Sequence, residues 1–183
     1  MLLRASSIAD THAIASVLAG LARPGDIIVL AGEMGAGKTA FAQGFGRALG
    51  VTEPITSPTF TLVHSYPCPD QRMTLHHADI YRLDNTGDVE ELALHELAEF
   101  GGIVLVEWGD VAASALGDHL EVRLSPEDQD DDAEVAATST DDGHDDADDF
   151  GLDSARTVEL HASGRSWAGR WDRVTEGLTP YRC

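Results

Sequence analysis

Apolar residues along the chain fall into three spacings, and each predicts a different element. Continuous runs at Ile27-Ile28-Val29-Leu30-Ala31 and Ile103-Val104-Leu105-Val106 are what central strands covered on both faces require. Helical spacing appears over residues 9–23, where Ile14, Val17, Leu18 and Leu21 share a face behind Asp10 or Thr11 as N-cap. It recurs in the acidic stretch 89–100, through Val89, Leu92, Ala93 and Leu97. Alternation marks 119–124 and 155–160 as the two arms of a hairpin, and 60–66 and 74–81 read as further strands. Pro24-Gly25-Asp26 makes the turn between the first helix and the first apolar run.

That first run leads directly into Gly32-Glu33-Met34-Gly35-Ala36-Gly37-Lys38-Thr39, and helix-forming Ala40, Phe41, Ala42 and Gln43 follow up to Leu49, where Gly50 stops the helix. Strand, GxxxxGK[ST] loop and helix in this order form a phosphate loop. Its glycines let successive backbone N–H groups turn inward at phosphate, at the positive end of the helix. Lys38 is the single lysine of the chain, and it stands where a compact cation reaches the β- and γ-phosphates; the Thr39 hydroxyl stands where it can ligate Mg2+.

Two acids downstream are candidates for the metal. Glu107 ends the second apolar run, at the carboxyl edge where open α/β sheets place their sites, and a buried carboxylate there needs a reason. Asp79 lies in the 74–81 strand. Thr39, Asp79 and Glu107 then surround Mg2+ directly or through water, with Lys38 and Glu107 as the catalytic pair and water attacking the γ-phosphate of ATP. Hydroxyl residues Thr56, Ser57, Thr59 and Thr61 follow the loop helix and can reach the γ-phosphate as a switch. His76 and His77, adjacent on a strand, point to opposite faces and cannot share an ion, so a hydrogen-bonded structural role is expected for both.

Charge changes the picture in one place. The net charge is −20, but residues 127–150 hold twelve of the 32 acids and no Lys or Arg, leaving twenty acids against twelve bases elsewhere, a net −8. The segment 125–154 lacks periodicity and is expected to be a flexible insertion in a single domain made of 1–124 and 155–183. A chain this acidic is not steered as a whole to nucleic acid. Cys68 and Cys183 have neither metal nor redox spacing, and no signal peptide or membrane-length run is visible, so a reduced, cytoplasmic setting is expected. The tail Gly164–Arg173, with three arginines and two tryptophans, suits an RNA backbone, a partner protein or packing against the sheet.

Beyond the loop, the runs Ile55-Thr56-Ser57-Pro58-Thr59-Phe60-Thr61-Leu62-Val63, His77-Ala78-Asp79-Ile80-Tyr81-Arg82-Leu83 and Val106-Glu107-Trp108 occur in an order and spacing that resembles the TsaE (YjeE) family, over residues 8–124 and more loosely 155–165. The resemblance implies an α/β, P-loop NTPase-like three-layer fold with a mixed central sheet flanked by helices. It further implies a Mg2+-dependent ATPase, weak alone, that supports threonylcarbamoyladenosine modification of tRNA with the TsaB and TsaD proteins. It implies roles for Lys38, Thr39, Asp79, Glu107 and the 56–61 segment, and places Thr11 near the nucleotide. The 125–154 insertion, the Trp/Arg tail, Met34 and Gly109 depart from the family pattern. A small-molecule kinase would need an arginine-bearing lid, which the insertion does not supply; a nucleotide-binding assembly factor without turnover is the remaining alternative.

Overall fold

The computed structural model describes residues 1–58, 62–69, 73–81, 93–108, 116–127 and 154–183. Its elements are β1 Leu2–Ala5, α1 Ile8–Leu21, β2 Ile27–Ala31, α2 Lys38–Ala48, β3 Val63–Cys68, β4 Met73–Asp79, α3 Leu94–Glu99, β5 Gly102–Glu107, β6 His119–Pro126, β7 Arg156–Ser163 and α4 Trp171–Gly177. The strands form one sheet in the order β1-β7-β6-β2-β5-β4-β3. β6, β2, β5 and β4 run parallel at its centre, and β7, β1 and β3 complete it antiparallel. The mixed sheet expected of the fold is present.

Alternation along β2 distributes two cores. Ile28 and Leu30 face a larger cluster with Ile14, Leu18, Phe41 and Phe45 of α1 and α2. Ile27 and Val29 face a smaller one with Leu94 and Ala98 of α3. Helices thus cover both faces, which is why β2 and β5 read as unbroken apolar runs.

Several expectations are corrected at the level of local chemistry. The first helix starts at Ile8, and its cap is Ser7, whose hydroxyl accepts from the Asp10 N–H, while the Asp10 carboxylate accepts from the Ser6 N–H. Strand β1, absent from the sequence reading, pairs with β7. Strand β3 runs past Tyr66 through Pro67, which an edge strand tolerates because its missing N–H costs no ladder bond. Of the helix expected over 89–100, residues 94–99 are helical, and 89–92 lie outside the described residues.

The tail packs. Trp167 is fully buried, and the Arg170 guanidinium stacks over its ring at 4.1 Å and makes two 2.7 Å bonds to Asp26, one to each carboxylate oxygen. The Asp26 carboxylate also accepts from the Arg23 N–H, and Arg170 donates to the Leu21 carbonyl. One buried ion pair therefore ties the turn before β2 to the C-terminal segment. Asp26→Asn leaves Arg170 buried beside a neutral partner and is expected to lower stability by about 3–5 kcal/mol, read from urea unfolding.

The hairpin expected of 119–124 and 155–160 forms as β6 and β7, with Pro126 opposite Arg156 and the Glu127 N–H on the Ala155 carbonyl. Residues 128–153 lie outside the described residues. Replacing them with a four-residue turn shortens the loop that the ladder must close. It is expected to raise unfolding stability by about 1–2 kcal/mol at an unchanged fold, measured by urea unfolding and circular dichroism.

Candidate functional site: a phosphate loop facing two carboxylates

Parallel pairing brings three strand ends into line. Leu30 of β2 lies level with Glu107 of β5, and Glu107 level with Asp79 of β4. The loop that leaves β2 therefore opens beside both acids. Gly32, Gly35 and Gly37 have φ of 133°, 80° and 101°, a region that side chains disfavour. Their curl delivers Lys38 and Thr39 into the first turn of α2.

Lys38 is 5% exposed; its Nζ donates to the Gly32 and Glu33 carbonyls at 2.8 Å each and sits 3.6 Å from the centre of the Trp108 ring. Thr39 Oγ1 donates to Glu107 Oε1 at 3.0 Å. Asp79 accepts from Ser57 Oγ at 2.9 Å and from the Tyr81 N–H at 3.0 Å, so the segment expected to act as a switch already touches the second acid. Tyr81 and Trp108 have ring centres 4.8 Å apart. Trp108 holds a φ of 62° while its N–H bonds the Leu30 carbonyl. These groups enclose a cavity of about 350 Å3 lined by Met34, Lys38, Thr39, Asp79, Glu107 and Trp108 among others.

The remaining sequence candidates sit elsewhere. Gly32 and Glu33 line a second cavity of about 440 Å3 on the other flank of the loop, toward Arg123 and Ser125. Ala36 is buried in the larger core. Thr11 is fully buried, with its hydroxyl on the Ser7 carbonyl, and lines neither cavity. Thr59 and Thr61 lie outside the described residues. His76 bonds Ser65 Oγ at 2.8 Å, and burial holds it below the usual imidazole range. His77 faces the other way, with Nε2 2.9 Å from Glu107 Oε1. Both histidines are hydrogen-bonded, and they share no ion site.

Sequence reasoning missed Arg156. Because β7 runs antiparallel to β6, its first residue lies at the same edge as the loop, and a Cβ added to Gly37 would fall onto the Arg156 guanidinium. Arg156 is 2% exposed and does not line the 350 Å3 cavity, so it supports the loop from behind. Nearby, burial first, then the charges of Arg47 and Arg156, holds His12 below its ordinary range. No short-range signal links positions 37 and 156; only the sheet order joins them.

The donor set fits Mg2+. Among the described residues no three His, Cys, Asp or Glu gather as a metal cluster, whereas one hydroxyl and two carboxylates beside a phosphate loop suit a hard cation that keeps waters and phosphate oxygens as ligands. The glycines give the loop a graded sensitivity. A Cβ on Gly32 would overlap the Leu124 carbonyl oxygen, at a φ only glycine adopts freely, while one on Gly35 meets nothing within 4 Å. Gly32→Ala is expected to cost about 1–3 kcal/mol more than Gly35→Ala in thermal unfolding.

Comparison with known proteins agrees with this geometry. A family model described as "Threonylcarbamoyl adenosine biosynthesis protein TsaE" matches residues 5–135. A Bacillus subtilis protein named "tRNA threonylcarbamoyladenosine biosynthesis protein TsaE" is 41% identical over 107 residues, which is 58% of this chain and 65% of that protein. A Treponema pallidum protein of the same name is 39% identical over 113 residues, 62% of this chain and 82% of its own. The crystal structure of Bacillus subtilis YdiB superposes with a TM-score of 0.68 at 27% identity, covering 98% of this chain and 94% of that one.

Proposed function

The chain belongs to the TsaE family, and from that membership and the site geometry we propose that it binds Mg2+–ATP in the 32–39 loop and hydrolyses it to ADP and phosphate in support of tRNA threonylcarbamoyladenosine formation. The observation that carries this reading is the alignment of the phosphate loop, Glu107 and Asp79 at one edge of the sheet, around one cavity.

In this reading Lys38 exchanges its loop carbonyls for phosphate oxygens. The Thr39 hydroxyl, which donates to Glu107 and so has its oxygen lone pairs free to ligate, and Asp79, braced by Ser57 and the Tyr81 N–H, would hold Mg2+ directly or through water. Bound Mg2+ would neutralise charge on the phosphate oxygens. Glu107 orients the attacking water. Lys38 is the one cation among the described residues lining the cavity, and phosphoryl transfer is accelerated when a further positive group meets the developing charge. This favours an enzyme that is slow alone and stimulated by TsaB and TsaD, with tRNA reached through that assembly. Among the described residues no helix is long and apolar enough to cross a membrane. A single ATPase domain completes the proposal, interrupted by the acidic segment between the β6 and β7 arms, which extend through Pro126 and from Arg156.

Hydrolysis by wild type and Lys38→Ala, each alone and with TsaB, TsaD and tRNA, tests it. Stimulated turnover by wild type, reduced at least about 100-fold in K38A, is the expected result. Tight ATP binding without turnover in any mixture would replace the ATPase by an assembly factor that uses nucleotide only to fix its shape.

A further inference from the structure

His77 is fully buried on β4, and among the described residues its side chain makes one hydrogen bond, to an acid 30 residues away. A carboxylate only accepts, so Nε2 carries the ring proton and donates it to Glu107 Oε1. Nδ1 is buried and has no hydrogen-bond partner among the described residues. A leucine of similar volume would orphan nothing there. What the imidazole adds is the donor.

Thr39 Oγ1 donates to the same oxygen. Two donors thus converge on Oε1, while Oε2 accepts no hydrogen bond from the described residues and the side chain lines the 350 Å3 cavity. The terminal torsion of glutamate is soft and broad. With Thr39 alone, the carboxylate could swing and exchange its oxygens; a second donor from the neighbouring strand removes that freedom.

We propose that His77 is a positioning residue for the Mg2+–nucleotide reading given above: with Thr39 it pins Glu107 Oε1, so that Oε2 is the oxygen presented to the metal and its water. The inference concerns the side chain behind Glu107, and it assigns the tautomer as well as the role. Its consequence is specific to metal-dependent binding. Nucleotide held by loop N–H groups and Lys38 does not depend on Glu107, so binding of ADP without metal is indifferent to His77.

The test is titration of ADP, with Mg2+ and with EDTA, into wild type, His77→Leu and His77→Gln, alongside thermal unfolding and ATP hydrolysis. Glutamine keeps an N–H donor near the position of Nε2; leucine keeps only volume. H77L is expected to bind ADP in EDTA within about twofold of wild type, yet to lose about tenfold or more of the tightening that Mg2+ confers, and H77Q to recover it to within about threefold. In H77L, kcat falls with the lost metal coupling. Should H77L fail to fold, His77→Asn, whose amide is too short to reach Oε1, takes its place. Full Mg2+ tightening in H77L overturns the inference. So does equal loss in H77L and H77Q with equally lowered unfolding temperatures, which would make His77 a packing residue. A wild type that binds no ADP under either condition overturns the nucleotide reading itself.

Discussion

The register of β2, β5 and β4, which sets Leu30 level with Glu107 and Glu107 level with Asp79, is the constraint on which the site depends. Strand side chains alternate between faces, so a slip of one residue in β5 would turn Glu107 away from the loop and bring Val106 toward it. Packing prevents the slip. Val104 and Val106 fit the core under α3, and Ile103 and Leu105 fit the core under α1 and α2. Shifting the strand would mismatch both faces at once. The order of apolar residues in a strand thereby places the Glu107 carboxylate to within a residue, although none of them lines the cavity.

The same economy governs the buried charges. Asp26, Arg170, Lys38, Asp79 and Glu107 are each at most 6% exposed, and a buried charge is tolerated only where partners replace its water. Asp26 and Arg170 satisfy one another and fasten the C-terminal segment to the turn that starts β2. At the site, Lys38 donates to two loop carbonyls, Glu107 accepts from a hydroxyl and an imidazole, and Asp79 accepts from a hydroxyl and a backbone N–H. The first arrangement is closed and structural. The second borders a cavity that Lys38, Asp79 and Glu107 line, which is the difference between a clamp and a candidate site.

How legible all this was depended on the range of the information. The phosphate loop carries its geometry in its own eight residues, and Glu107 stood out because an acid ending a wholly apolar strand is locally anomalous. Asp79 was a weaker candidate, because its strand is less apolar and an acid there is less anomalous. Strand β1 has four residues, of which two are buried, too short for a period to show. The Ser7 cap was passed over for Asp10, although Asp10 itself serves the cap by accepting from Ser6. The tail composition left three roles open, a partner protein foremost, and the carboxylate of Asp26, 144 residues from Arg170, shows that Arg170 packs. His77 and Arg156 are the same lesson at the site. Opposite-face alternation correctly separated His77 from His76, but its contact with Glu107 is set by strand order, which no local pattern encodes.

Under the proposed function, nucleotide would displace contacts that the loop side chains make. Lys38 is held by two loop carbonyls and the Trp108 ring, and Trp108 sits in a left-handed conformation that a bulky side chain adopts only at a cost. These contacts solve one problem, since a cation at the positive end of α2 needs compensation when phosphate is absent. They create another, because phosphate binding exchanges existing hydrogen bonds for new ones and gains only the difference. Such a loop is preorganised in backbone and self-occupied in side chain. Under the proposed function, affinity for nucleotide would depend on how readily Lys38 leaves its carbonyls and the Trp108 ring as well as on the glycines.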